Sequence, residues 1–123
     1  MTIMNFETYV SLEVAKLLRK AGFDWKVFGY YNKFNFFHEA VAQCDEIKAP
    51  TLEVVQKWLR EVKGWHISVY PETTFNDGLV YNFSIYKEDY DRNANHVYTG
   101  RSFVSFEEAQ ETGIKKILEI ILK

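Results

Sequence analysis

Two segments decide the fold of this chain: Trp65-His66-Ile67-Ser68-Val69-Tyr70 and Leu79-Val80-Tyr81-Asn82-Phe83-Ser84-Ile85-Tyr86. In each of them, large apolar residues occupy every second position and the residues between lean polar. A period of two is typical of antiparallel strands that bury one face against helices. The link from Pro71 to Gly78 is rich in Thr, Asn and Asp, so we expect a hairpin loop there, longer than the tightest turns.

A helix is predicted before these strands, near the N-terminus. Its apolar positions fall on one face: Val10, Val14, Leu17, Leu18 and Ala21. Thr8 or Ser11 can cap its start, and Gly22 suits a left-handed C-terminal residue onto which Phe23 folds back.

The second helix is predicted from Thr51 to Lys63, directly before the first strand. Thr51 supplies a hydroxyl cap after Pro50, and Gly64 ends the helix. The expected buried stripe consists of Leu52, Val55, Leu59 and Val62, with Trp58 beside it.

The third helix is predicted from Ser105 to the end of the chain. Ser105 and Glu108 have the spacing of a capping box, and Val104 and Ala109 that of a hydrophobic staple. The expected buried face consists of Ala109, Gly113, Ile117, Ile120 and Ile121. Because a mid-helix glycine costs about 1 kcal/mol relative to Ala, we expect another backbone to approach closely at Gly113.

Shorter strands complete the predicted architecture. Residues Val27 to Phe37 predict a short hairpin that turns near Asn32-Lys33, and His96 to Arg101 a last strand after a polar loop from Glu88 to Asn95. The order of elements predicts one α+β domain over residues 1–123, in which an antiparallel sheet of three to five strands packs against about three helices.

Composition narrows the class of protein. The chain has 123 residues, a net charge of −2 and one cysteine, Cys44. The charge argues against a protein whose whole surface binds nucleic acid, because such domains are usually strongly basic. A single cysteine excludes an intramolecular disulfide and suits a reducing compartment. The N-terminus lacks the pattern of a signal peptide and no apolar run is long enough for a membrane span, so we expect a cytoplasmic protein with no membrane partner.

No segment carries a complete catalytic or metal-binding motif. Asp89, Asp91 and Asn93 alternate as in a calcium loop, but Ala94 and Gly100 stand where that loop requires Gly and Glu. The sequence at His38-Glu39 lacks the second histidine of a zincin helix. Cys44 and His66 lack flanking signatures. The sequence therefore predicts no catalytic residue, metal or cofactor and favours a protein that is not an enzyme.

An unusual concentration of aromatic residues marks the candidate functional surface. Aromatic residues make up 17% of the chain, and five of them lie within the nine residues from Gly29 to Phe37. The candidate surface comprises Tyr30, Tyr31, Lys33, Phe34 and Phe36, together with Tyr70 and Tyr86 of the long strands. Three interpretations remain open: core packing under cover of the loop from Ala40 to Ala49, stacking of nucleic-acid bases, or a protein interface, most simply a homodimer.

Three stretches of the sequence together resemble a known group of proteins. They are Tyr9 to Phe23, Ala49 to Glu61 (Ala49-Pro50-Thr51-Leu52 and Gln56-Lys57-Trp58-Leu59-Arg60-Glu61), and Ser105 to Ile114. The chain resembles small proteins of unassigned function found in gut Bacteroidales genomes and their phages or mobile elements. The resemblance implies a phage-type or mobile-element setting and supplies no catalytic residues.

The sequence thus favours a non-enzymatic, self-associating interaction module that uses an aromatic strand surface. A small nucleic-acid-associated protein of a phage or mobile element is the alternative. An enzyme ranks third, because it requires a cleft that gathers His66, Cys44 or the Asp89/Asp91 pair.

Overall fold

The computed structural model describes residues 8–43 and 45–123, and the described residues form three helices and two antiparallel sheets of three strands each. The helices are α1 (Leu12–Lys20), α2 (Leu52–Trp58) and α3 (Phe106–Ile121). The strands are β1 (Tyr30–Tyr31), β2 (Phe37–His38), β3 (Ile47–Lys48), β4 (Trp65–Thr74), β5 (Gly78–Glu88) and β6 (Ala94–Phe103). The predicted α+β class is confirmed, with the strands divided between two sheets.

Helix α1 begins and ends with two local motifs. Ser11, not Thr8, is its cap, since the Ser11 hydroxyl accepts from Val14 N at 3.3 Å. At the other end Gly22 has a φ of +89°, and Phe23 N donates to Leu18 O at 3.0 Å. This arrangement is a Schellman motif, and it folds the buried Phe23 back onto the last turn as expected.

Helix α2 continues beyond Trp58 in a wider form. Residues Leu59–Lys63 form a π-helical turn that ends at Gly64, whose φ is +70°. Trp58 and Leu59, at the start of the turn, are buried. A π-turn places its later residues at a different angle around the helix axis than an α-helix does, and Val62 is 52% exposed. The expectation that Val62 belongs to the buried stripe was therefore wrong.

Helix α3 packs closely on the longer sheet through Gly113. A Cβ at this position would overlap Ile67 Cδ1 and the Phe83 ring, so side chains make the close approach and not the expected backbone. At the helix start the Ser105 hydroxyl accepts from Glu108 N at 3.1 Å. The expected staple is not formed, because Val104 is 83% exposed.

The first sheet has the order β2-β1-β3 and is built from two-residue strands. Its hairpin pairs Tyr30 with His38 and Tyr31 with Phe37, close to the predicted turn. The turn is held by Asn32, whose side-chain oxygen accepts from Phe34 N at 2.9 Å and from Phe36 N at 3.0 Å. Strand β3 lies in the segment that the sequence predicts as a loop.

The second sheet is an antiparallel meander with the order β4-β5-β6. Strands β4 and β5 pair without interruption from Trp65↔Lys87 to Thr74↔Gly78, so the link is confined to residues 75–77 and the predicted loop from Pro71 to Gly78 was too long. Pro71 is tolerated because β4 is an edge strand, where a missing N–H donor costs little. The last strand extends beyond the predicted span at both ends.

The core lies between α3 and one face of the second sheet, with α1 and α2 packed on α3. Buried Gln110 of α3 ties these layers together. Its side-chain nitrogen donates to Glu53 at 2.9 Å and to Gln56 at 2.8 Å, both on α2. Gln56 in turn donates to Ile67 O of β4 at 3.1 Å.

Candidate functional site

The β1–β2 hairpin (Tyr30–His38) has an inward and an outward side. Tyr31 points inward, and its hydroxyl donates to Val10 O at 2.8 Å. The Phe37 ring lies 4.8 Å from the Tyr9 ring and 5.5 Å from the Tyr31 ring, as centroid distances. Burial raises the pKa of Tyr31. Tyr31 therefore anchors the hairpin to the core, although the sequence places it among the candidate surface residues.

The turn of the hairpin presents two phenylalanines to solvent. Phe34 is 68% exposed and Phe36 is 66% exposed. Lys33 lies beside them, with its Nζ 5.2 Å from the centroid of the Phe34 ring. The loop from Ala40 to Ala49 contributes β3 to the sheet and does not bury these rings.

Tyr30 occupies the outward side of β1, next to a histidine. Its ring stacks on His38 at a centroid distance of 5.1 Å, and Asn32 Nδ2 lies 2.9 Å from His38 Nε2. Desolvation, followed by the nearby Glu46 carboxylate, raises the pKa of the Tyr30 hydroxyl. We call Tyr30, Lys33, Phe34, Phe36 and His38 the hairpin surface.

The sequence did not single out His38 for this surface, although pairing it across the hairpin with Tyr30 would have found it. Phe28, two positions before Tyr30, is 60% exposed and was also missed. A lone phenylalanine outside a strand carries no periodic signal of exposure.

Tyr70 and Tyr86 lie on a different surface from the hairpin. Both belong to the face of the second sheet opposite α3, which we call the open face. Its cross-strand rows include His66, Tyr86 and His96, and then Ser68, Ser84 and Thr99. The seven predicted surface residues are thus divided between two sheets and do not form one site.

A chain of hydroxyl groups crosses the open face. Ser84 Oγ lies 3.4 Å from Tyr70 Oη and 2.9 Å from Thr99 Oγ1. His96 Nε2 lies 2.7 Å from the same Thr99 hydroxyl. At the end of the face, His66 Nε2 lies 3.4 Å from Glu88 Oε1.

This row of hydroxyl contacts resembles part of a nucleophilic site, but a structural role in the sheet explains it better. Ser84 is only 5% exposed, so its hydroxyl is not accessible to a substrate. His96 and Thr99 have the spacing of a base and a hydroxyl, whereas a catalytic pair also needs a group that orients the base and donors for an oxyanion. The chain satisfies the buried hydroxyl of the central strand, as expected of a polar group inside a protein.

The loop after β5 is held by hydrogen bonds to the carboxylate of its first residue, Asp89. Asp89 accepts from Asp91 N at 3.0 Å and from Asn93 N at 2.8 Å, and these backbone donors lower its pKa. Both oxygens of the Asp89 carboxylate therefore accept hydrogen bonds from the loop itself. Within residues 8–43 and 45–123, no three His, Cys, Asp or Glu side chains are grouped to hold a metal. Cys44 lies outside the described residues.

Comparison with known proteins adds no relative. No protein-family model matches the sequence, and neither the curated proteins nor the solved structures contain a significant match. In the part of the chain that the structure describes, no helix has both the length and the apolar character needed to cross a membrane.

Proposed function

We propose that this protein is a non-enzymatic binding module that associates with a second copy of itself through the hairpin surface. The observation that carries the proposal is the exposure of Phe34 and Phe36, at 68% and 66%, on a turn whose backbone is held by Asn32. A rigid turn presents the rings without a large ordering cost on binding.

The geometry of the sheet supports a symmetric pair. Strand β2 is an edge strand, since the sheet order is β2-β1-β3. An edge strand offers unpaired backbone groups to another strand, and two copies of one edge can meet across a two-fold axis. Such pairing would bring Phe36 of each copy close to the contact, because it directly precedes β2.

The expected strength of association follows from the apolar area. Full burial of a phenylalanine is worth about 1.5–3 kcal/mol. With about two-thirds of each ring exposed, the four rings of a dimer contribute on the order of 4–8 kcal/mol. Association itself costs about 4–15 kcal/mol. We therefore expect a weak dimer whose population depends on protein concentration.

Light scattering coupled to size-exclusion chromatography tests this proposal. The molar mass of the wild-type protein should rise with concentration, and the double substitution Phe34→Ser and Phe36→Ser should abolish the rise. Phe75→Ser is the matched control, because Phe75 is a fully exposed phenylalanine at the tip of the β4–β5 hairpin. A wild-type protein that stays monomeric at the highest concentration contradicts the proposal.

One observation favours a second candidate, a single-strand nucleic-acid binder. The pairing of Lys33 with the Phe34 ring combines a cation with a stacking platform, as such sites require. Lys48, which pairs with Tyr30 in the sheet, is a further cation on this side. Its Nζ already donates to the carbonyl oxygens of Asp24 and Trp25. Anisotropy of a labelled oligothymidylate at low salt tests this candidate. Binding that weakens with salt and is lost with Lys33→Ala would favour it over self-association, and no binding would remove it.

A further inference from the structure

A groove separates α3 from the edge strand β6, away from the hairpin surface. Its volume is about 330 Å³, within the range of small-molecule sites, which begins near about 300 Å³. Its aromatic lining consists of Phe83, Tyr98 and Phe103, and its charged lining of Arg101, Lys115, Lys116 and Glu119.

The aromatic lining depends on a glycine in β6. A Cβ at Gly100 would overlap the Phe83 ring, so this ring can lie directly against the β6 backbone only because position 100 is glycine. The Phe83 centroid lies 6.0 Å from that of Tyr98 and 5.6 Å from that of Phe103. Tyr98 is 43% exposed and lines the groove.

Lys116 differs from the other two cations of the groove, Arg101 and Lys115, in its contacts. Lys115 binds the Glu13 carboxylate at 2.6 Å and Arg101 lies 3.7 Å from Glu72. Lys116 instead lies over the Tyr98 ring, with its Nζ 4.6 Å from the centroid. Among residues 8–43 and 45–123, no carboxylate lies within ion-pair distance of Lys116 Nζ.

We propose that this groove binds a small anion with a planar aromatic body. The aromatic body would pack against the exposed parts of Tyr98 and Phe103, and its anionic group would meet Lys116. Glu119 also lines the groove, and its negative charge would repel each further negative charge on a ligand. A monoanion therefore fits better than a multiply charged anion.

A peptide strand added to β6 fits the groove less well than a small molecule. Ile85 pairs with Tyr98 and Tyr86 with His96, which leaves Val97 as an extra residue in β6. A second irregularity lies at residues 101–102, where Ser102 has a φ of +68°. Such bulges interrupt the edge that a peptide would need.

The test uses 8-anilinonaphthalene-1-sulfonate as the probe, which carries aromatic rings and one negative charge. Its fluorescence titration should show binding that Lys116→Gln weakens about tenfold, as expected for the loss of a charge-assisted contact. The matched control is Lys63→Gln, because Lys63 also lies over an aromatic ring, that of Trp58, and belongs to neither the groove nor the hairpin surface. This control should leave the affinity unchanged, and circular dichroism should confirm that both variants fold.

The neutral analogue N-phenyl-1-naphthylamine separates charge recognition from apolar binding. It should bind more weakly than the sulfonate, and Lys116→Gln should not weaken it further. Absence of probe binding, equal affinity for both probes, unchanged affinity of Lys116→Gln for the sulfonate, or an equal loss of affinity with Lys63→Gln would overturn the proposal. None of these outcomes requires self-association, because no residue of the hairpin surface lines the groove.

Discussion

The two sheets of this protein use the same aromatic residue types in opposite ways. In the second sheet, strands of ten or eleven residues lie against α3, and Phe83 is 1% exposed. In the first sheet, strands of two residues leave Phe34 and Phe36 in solvent. Aromatic content alone therefore does not locate a surface. What decides the outcome is whether another element covers the ring: α3 packs over Phe83, whereas Phe34 and Phe36 lie in the turn between β1 and β2.

Truncation of one phenylalanine from each sheet gives the largest expected contrast. Phe83→Ala should lower the free energy of unfolding by about 3–5 kcal/mol, because it leaves a cavity in the core. Phe36→Ala should change it by less than about 0.5 kcal/mol, since the ring is exposed in the monomer. Urea unfolding at low protein concentration measures both. Similar losses for the two variants would show that the hairpin surface is packed in solution.

Asn82 lies on the open face of the second sheet. It is fully buried, accepts from Ser102 N at 2.9 Å and donates to Glu72 at 2.8 Å. Asn82→Ala leaves a backbone donor unpaired at the β6 bulge, so we expect a loss of about 1–3 kcal/mol in unfolding free energy. Asn76→Ala, in the exposed turn after β4, is the control and should have no measurable effect. A loss no greater than in the control would mean that Asn82 does not hold the bulge.

Substitution of two neighbouring tyrosines tests which side of the first sheet faces the core. Tyr31→Phe removes the hydrogen bond to Val10 O and should cost about 0.5–1.5 kcal/mol of stability. Tyr30→Phe keeps the stack on His38, and we expect a change close to zero. Thermal unfolding of both variants measures the difference. A greater cost for Tyr30→Phe would reverse the assignment of inward and outward sides.

The smallest expected effect is a pH dependence at the loop after β5. The pKa of Asp89 is lowered in the folded protein by the Asn93 and Asp91 backbone donors. The folded state therefore favours the ionised carboxylate, and this contribution is present above the unfolded pKa and lost as the pH falls through the folded one. Stability measured from about pH 5 downwards should fall less steeply in Asp89→Asn than in the wild type. Equal slopes would contradict a role for this carboxylate.

Much of the fold could be predicted because its signals are local. The caps Ser11, Thr51 and Ser105 act within three residues, and the alternation of β4 and β5 extends over enough positions to define a face. A two-residue strand has no period, so the sequence could not separate inward Tyr31 from outward Tyr30. Likewise, no residue type is specific to a π-turn, so the sequence could not predict the one after Trp58.

The candidate surfaces were predicted less completely, because they depend on residues distant in sequence. Phe34 and Phe36 were singled out from local aromatic density, and the structure places both in solvent. The groove beside β6 depends instead on Lys116 of α3 lying over Tyr98 of β6. Neither residue has neighbours that indicate a site, so only the packing of helix on sheet reveals it.

The Phe83 ring is enclosed by two glycines from different elements, Gly100 of β6 and Gly113 of α3. These three positions therefore share one fixed volume. We expect them to covary in relatives of this chain, with alanine or serine at position 100 accompanied by a smaller residue at position 83, and at position 113 by changes at both Ile67 and Phe83. A side chain added at either glycine alone meets a steric barrier, and a smaller residue at position 83 alone leaves a cavity, so change in this part of the core requires paired steps.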